Sequence, residues 1–138
     1  MAKKVDTIVI DTNLWISFLI TRDFKKLGEI IKKRTARIAF SRDSLEEFLS
    51  VADRPKFKKY FSKDDIEQLI DVFDTYGEII EVGSVVDLCR DRKDNFLLSL
   101  SRDSQADYLI TGDKDLLILN PFEGTKIITM TEYLKKFK

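Results

Sequence analysis

Two apolar runs in the chain end in an aspartate. Val5 to Ile10 (VDTIVI) leads into Asp11-Thr12-Asn13, and Tyr108 to Ile110 (YLI) leads into Thr111-Gly112-Asp113. A further aspartate, Asp94, precedes the apolar positions Phe96, Leu97 and Leu100. The chain contains no histidine, which removes most competing acid–base mechanisms. Carboxylate oxygens without histidine or cysteine partners suit Mg2+ or Mn2+ rather than zinc.

The elements that must position these acids alternate along the chain. Short β-branched apolar runs read as buried strands of a parallel sheet. They predict strands at Val5–Ile10, Ala36–Phe40, Glu78–Val82, Tyr108–Thr111 and Lys126–Ile128. Helices are expected at Thr12–Ile20, Lys25–Arg34, Arg42–Ala52, Lys63–Tyr76 and Asp94–Arg102. Leu45, Phe48, Leu49 and Ala52 fall on one helical face, as do Ile66, Leu69, Ile70 and Phe73. Gly77 is expected to end its helix as a glycine cap. Asp115–Leu119 forms a short turn stopped by Asn120-Pro121, and Thr129–Phe137 a terminal helix capped by Thr129 or Thr131. Strands alternating with helices imply a parallel α/β sheet covered on both faces.

In such sheets the ligand site lies beyond the carboxyl ends of the strands, where Asp11 and Asp113 stand. The first and fourth strands are the most apolar and are placed side by side at the sheet centre. Neighbouring strands lie about 4.8 Å apart, so the two carboxylates would face each other across one strand spacing. Two like charges about 5 Å apart repel by roughly 3 kcal/mol at an effective dielectric near 20. Shared protons or a bound cation relieve that repulsion. The competing role is structural: Asp11, Asp94 and Asp113 each sit near a helix start, where aspartate caps backbone N–H groups. Glu46 and Glu47 follow the same expected helix, and periodicity alone does not choose between them.

The 138 residues form one domain by size, 1–138, with no linker and no repeat. Lys and Arg number 24, as do Asp and Glu, so net charge is zero and any nucleic-acid affinity must come from a local basic patch. Cys89 is the lone cysteine, which fits a reducing cytoplasm, and is expected to be a small buried apolar residue. The start lacks the apolar core of a signal peptide, and no stretch is long enough to span a membrane.

The segments IVIDTNLWISFL, SRDSLEEFLSVADRPKF and DLCRDRKDNFLLSLSRDSQADYLITGDKDLLIL, continued by IITMTEYLKKF, resemble the PIN-domain nucleases, specifically the bacterial toxin–antitoxin (VapC-like) branch. The resemblance implies a three-layer α/β/α sandwich around a five-stranded parallel sheet ordered 3-2-1-4-5. It implies divalent-metal-dependent hydrolysis of RNA, leaving a 5′-phosphate and a 3′-hydroxyl. It carries the four catalytic and metal-holding acids onto Asp11, Glu47, Asp94 and Asp113, and polar helpers onto Asn13 and Thr111, with Asp115 supporting Asp113. It also implies a small antitoxin partner and a homodimer. Arg92 stands where many relatives have proline.

Arg92 and Lys114 lie close to the acids in sequence and are the expected phosphate contacts. The basic run Arg54-Pro55-Lys56-Phe57-Lys58-Lys59-Tyr60 has aromatics interleaved. Such a run can follow an RNA backbone with aromatic stacking, but a charged loop or helix whose aromatics face the core is the expected reading. Trp15, with Leu14 and Phe18, is expected in the core or at a dimer surface. A haloacid-dehalogenase-type phosphotransferase needs a second aspartate two positions after the first, where this chain has Asn13. A receiver domain needs a phosphoacceptor on its third strand, which Glu78–Val82 lacks. The alternative to a nuclease is a catalytically inactive scaffold of the same fold that binds RNA or a protein partner.

Overall fold

The computed structural model describes residues 5–21 and 36–135. The chain runs β1 (Thr7–Ile10), α1 (Thr12–Thr21), β2 (Arg37–Phe40), α2 (Arg42–Ala52), a 3-10 turn (Pro55–Phe57), α3 (Lys63–Tyr76), β3 (Gly77–Ile79), α4 (Arg92–Ser104), β4 (Tyr108–Ile110), α5 (Lys114–Leu117), β5 (Lys126–Ile128) and α6 (Met130–Lys135). The helix expected at Lys25–Arg34 lies outside the described residues.

The strands form one five-stranded sheet in the order β3-β2-β1-β4-β5. Every neighbouring pair is parallel. The resemblance implied this order, and strand apolarity placed β1 beside β4. Register fixes the centre: Ile8 lies opposite Tyr108, Val9 opposite Leu109 and Ile10 opposite Ile110.

Side chains alternate across a pleated strand, so each strand feeds two cores. Ile8, Ile10, Ile38, Ile110 and Ile128 point to one face, with Trp15, Phe48, Leu69, Phe73 and Tyr133 from α1, α2, α3 and α6. Val9, Ala39, Leu109 and Ile127 point to the other, with Leu97, Leu98 and Leu100 from α4 and Leu116 from α5. This is a three-layer α/β/α sandwich. Trp15 is 4% exposed and its ring centroid sits 4.6 Å from that of Phe73, so it belongs to the core.

Helix starts follow local capping chemistry. Ser41 accepts the Ser44 N–H at 2.9 Å and opens α2. Ser62 and Asp65 form a reciprocal capping box at α3. Thr129 accepts the Glu132 N–H at 3.2 Å, while Glu132 accepts the Thr129 N–H at 3.3 Å. Beyond that cap α6 is described as far as Lys135, and the rest of the expected helix, to Phe137, lies outside the described residues.

Two boundaries differ from the sequence reading for identifiable reasons, and Gly77 ends its helix for a reason other than the expected one. β3 ends at Ile79, short of Val82. After the Ile80 N–H bonds Phe40 O at 2.8 Å, the chain turns its donors toward α4. Gly83 and Ser84 N–H donate to Asp103 Oδ2 at 2.7 and 3.0 Å, and Val86 N–H donates to Ser99 Oγ at 3.0 Å. α4 starts at Arg92 rather than Asp94, because Asp91 is the cap and accepts the Lys93 N–H at 2.8 Å. Gly77 is extended (φ −96°, ψ 157°), so a left-handed cap is not why glycine is there. A Cβ at Gly77 would lie 2.3 Å from Phe73 O and 2.4 Å from the Phe40 ring, so close approach of α3 to β2 requires the missing side chain.

Candidate active site

The two central strands deliver their acids to one end of the sheet. Asp11 follows β1 directly, and its N–H bonds Ile110 O at 3.0 Å, continuing the β1–β4 ladder by one residue. That register brings Thr111, not Asp113, opposite Asp11. Thr111 Oγ1 donates to Asp11 Oδ2 at 2.9 Å and accepts the Asp113 N–H at 3.0 Å. A single buried hydroxyl therefore stands between the two acids, where sequence reasoning set the carboxylates face to face. Asp11 Oδ1 accepts the Asn13 N–H at 3.0 Å, so both oxygens are held.

A cavity of about 270 Å³ opens at this end of the sheet. Asp11, Glu47, Asp94 and Asp113 all line it, with Asn13 and Arg92. They arrive from four separate places: the end of β1, the middle of α2, the first turn of α4 and the residue capping α5. Among the described residues, Asp94, Asp113 and Asp115 bring carboxylate oxygens within 4.8 Å of one another. Asp115 thus joins Asp94 and Asp113 more closely than Asp11 does. Asp113 also performs the structural role weighed for it, because Oδ1 accepts the Asp115 N–H at 2.9 Å. Asp94 is no cap: it stands in the first turn of α4, behind the cap Asp91.

Glu47 faces the cavity, while Glu46 is exposed and does not line it. Glu47 Oε1 pairs with Lys93 Nζ at 3.0 Å. Lys93, Asp91, Asp43 and Ser44 also line the cavity, and sequence reasoning overlooked them. Two spacings carried the signal. Asp43 and Glu47 stand four apart on one face of α2. Asp91 stands three before Asp94, a cap followed by a first-turn acid. Arg92 occupies the first helical position, whose N–H has no helical partner, so proline and arginine serve there alike. Lys114 is exposed on α5 and is not among the cavity-lining residues.

The loop before α4 is fixed by Asn95 of the DRKDN segment. Its Oδ1 accepts the Leu88 and Cys89 N–H groups at 3.0 and 2.7 Å, and its Nδ2 donates to Cys89 O at 2.9 Å. Cys89 is half-buried against the second core, not fully buried as expected. Burial and the surrounding acids push its thiol up, so it is no ready thiolate nucleophile.

Burial and neighbouring charge disfavour the charged forms of Asp11 and Asp94. Burial pushes Asp11 above the usual carboxylate range, and the charges of Asp113 and Glu47 add to this, against the lowering bonds from Asn13 and Thr111. Asp94 is pushed up to about 7, first by burial, then by its hydrogen bond to Asp113 and the charges of Asp113, Asp91 and Asp11. An all-oxygen donor set of converging carboxylates fits a hard divalent cation such as Mg2+ or Mn2+.

A parallel 3-2-1-4-5 sandwich with aspartates gathered past its central strands defines an α/β domain with a candidate acidic site. Residues 7–115 match the family model described as the PIN domain, and the chain belongs to that family. The chain is also 33% identical, over 150 aligned residues, to MJ1680, an uncharacterized protein of Methanocaldococcus jannaschii. The alignment covers 100% of this chain and 96% of that relative. No solved structure matches the chain. Among the described residues no helix is long and apolar enough to cross a membrane.

Proposed function

We propose that this chain is a divalent-metal-dependent endoribonuclease, folding as one domain over residues 1–138 and acting in the cytoplasm as the toxin of a toxin–antitoxin pair. The observation that carries the nuclease reading is the convergence of Asp11, Glu47, Asp94 and Asp113 on one cavity from four places in the sequence. The toxin role, a small antitoxin and a homodimer rest on the resemblance of the DTN, DRKDN and YLITGDKDLL segments to the toxin branch.

Asp11, Asp94 and Asp113 would hold the cation, with Glu47 on the α2 side and Asp115 supporting Asp113. When bound, Mg2+ or Mn2+ lowers the pKa of water and polarises a phosphoryl oxygen. The chain's own groups set the stage for that chemistry. Thr111 and the Asn13 N–H fix Asp11 so that it needs no reorganisation during reaction. Asp94, raised by burial and by neighbouring Asp113, would give up its proton on becoming a ligand. Lys93 keeps Glu47 oriented in the cavity. Arg92 lines the cavity and is placed to meet a substrate phosphate. With no histidine in the chain, the carboxylates are the groups available to take the proton of the attacking water.

The test is cleavage of end-labelled RNA in Mg2+ or Mn2+ by the parent, Asp11→Asn and Asp94→Asn. The parent cuts internally, EDTA stops it, and both variants lose at least about a hundredfold in rate. Parent-like cleavage by either variant defeats the assignment of that acid. Tight RNA binding without cleavage under any metal favours the inactive scaffold.

A further inference from the structure

We infer that the segment Arg54–Tyr60 is a binding track for unpaired RNA that leads into the acid cavity, a proposal that rests on the ribonuclease reading above.

The segment lies where such a track has to begin. It follows α2, the helix that carries Glu47, and the Arg54 charge reaches Lys93, the partner of Glu47 at the cavity. Arg54, Lys56, Lys58 and Lys59 are all exposed. Among the described residues none of these four pairs with a carboxylate, although the chain has as many acids as bases. The neutral chain thus keeps four exposed, unpaired cations together in the segment that follows α2, the helix carrying Glu47. A polyanion that must approach repelling acids needs such a concentration of positive charge next to them.

The aromatics of the run divide into two roles. Phe57 packs on the first core and stacks on buried Phe61, with ring centroids 5.9 Å apart and planes 19° from parallel. This anchors the segment, as the sequence predicts for its aromatics. Tyr60 departs from that expectation and is 47% exposed. Lys59 Nζ lies 5.2 Å from the Tyr60 ring centroid, and Lys56 Nζ lies 5.1 Å from that of Phe57. The result is an anchored segment carrying cations and one exposed ring, with Lys59 over one face of that ring. Cations that follow a backbone beside a ring that stacks bases are the requirements of a single-strand site. Duplex RNA, whose bases are already stacked, has no use for Tyr60.

The probe is a fluorescein-labelled single-stranded oligouridylate of about 12 nucleotides, bound in EDTA so that nothing is cleaved. Lys56→Gln/Lys58→Gln/Lys59→Gln is expected to weaken binding about tenfold and to flatten its dependence on log salt by about 2. Tyr60→Ala is expected to weaken the single strand about fivefold and to leave a duplex RNA of equal length unchanged. In Mn2+ the lysine variant should hydrolyse bis(p-nitrophenyl) phosphate, a diester too small to reach the track, at the parental rate. Circular dichroism melts confirm that these exposed substitutions leave the fold intact. Binding by the lysine variant within about twofold of the parent overturns the track. Equal loss on duplex and single strand with Tyr60→Ala overturns the preference for unpaired RNA. Polyglutamate displacing the parent's RNA at equal charge concentration overturns RNA as the occupant. If the parent cleaves nothing in either metal while the variants still lose RNA, the track stands and the nuclease reading falls.

Discussion

Thr111 Oγ1 donates to Asp11 Oδ2 at 2.9 Å across a sequence separation of 100 residues. The same oxygen accepts the Asp113 N–H, so one hydroxyl sets two of the candidate ligands. Thr111 is fully buried, and Asp11 has the Asn13 N–H as its other anchor. Removing the hydroxyl strips Asp11 of a bond that favours its charged form and leaves the Asp113 N–H without its partner.

Thr111→Val, which keeps the volume, should therefore cost about 1–3 kcal/mol in urea unfolding. It should also lower RNA cleavage at least about tenfold, while Thr111→Ser restores most of both losses. Parental stability and rate in Thr111→Val would show the hydroxyl to be idle.

Asp94 makes the metal-free protein sensitive to pH. Its folded pKa is raised from 3.8 to about 7, so its contribution to stability is complete below the unfolded value and is lost as pH rises through the folded one. Thermal melts in EDTA should fall from about pH 4 to about pH 8 more steeply for the parent than for Asp94→Asn, which carries no titrating group there. Asp103 works in the opposite sense, because N–H bonds from Ser84 and Gly83 lower it, so the comparison with Asp94→Asn is needed to isolate Asp94. Parallel curves for the two proteins would remove Asp94 from the account.

The choice between the paired glutamates is open to direct test. Glu47 lines the cavity and holds Lys93, whereas Glu46 is exposed. Glu47→Gln should lower cleavage at least about tenfold and Glu46→Gln less than about twofold. Steady-state cleavage rates decide it, and the reverse order would move the functional residue by one position.

Gly77 tests the fold apart from the chemistry. Its Cβ would meet Phe73 O at 2.3 Å, a backbone atom that cannot rotate away. Gly77→Ala should destabilise by about 1–3 kcal/mol in urea unfolding, with cleavage by the folded protein unchanged. A neutral substitution would mean that α3 and β2 do not approach as described.

Much of the fold was legible because short apolar strands and amphipathic helices leave separate marks. α2, α3 and β5 span Arg42–Ala52, Lys63–Tyr76 and Lys126–Ile128, where periodicity and apolar patterning put them. The stretch after Ile79 was misread as strand because Ile80 and Val82 are apolar. They pack on the second core, but nearby N–H groups bond to Asp103, Ser99 and Asn95, and such long-range side-chain acceptors leave no local pattern. The acids were visible singly, and the sequence placed Asp11 and Asp113 at neighbouring strand ends. It could not show that Thr111 occupies the register between them, since that depends on which residue of β4 meets Ile10. Lys93 was passed over because its role depends on Glu47, 46 positions away, and no periodicity links α2 to α4.

The central claim is that carboxylates distant in sequence form one pocket for a divalent cation. Calorimetric titration of Mn2+ into the EDTA-stripped, dialysed protein tests it most directly, with Asp94→Asn/Asp113→Asn as the comparison. The account predicts saturable binding by the parent, with proton release near neutral pH, and loss of that binding in the double variant. Equal Mn2+ affinity in both proteins, or no binding by the parent at millimolar metal, would contradict it.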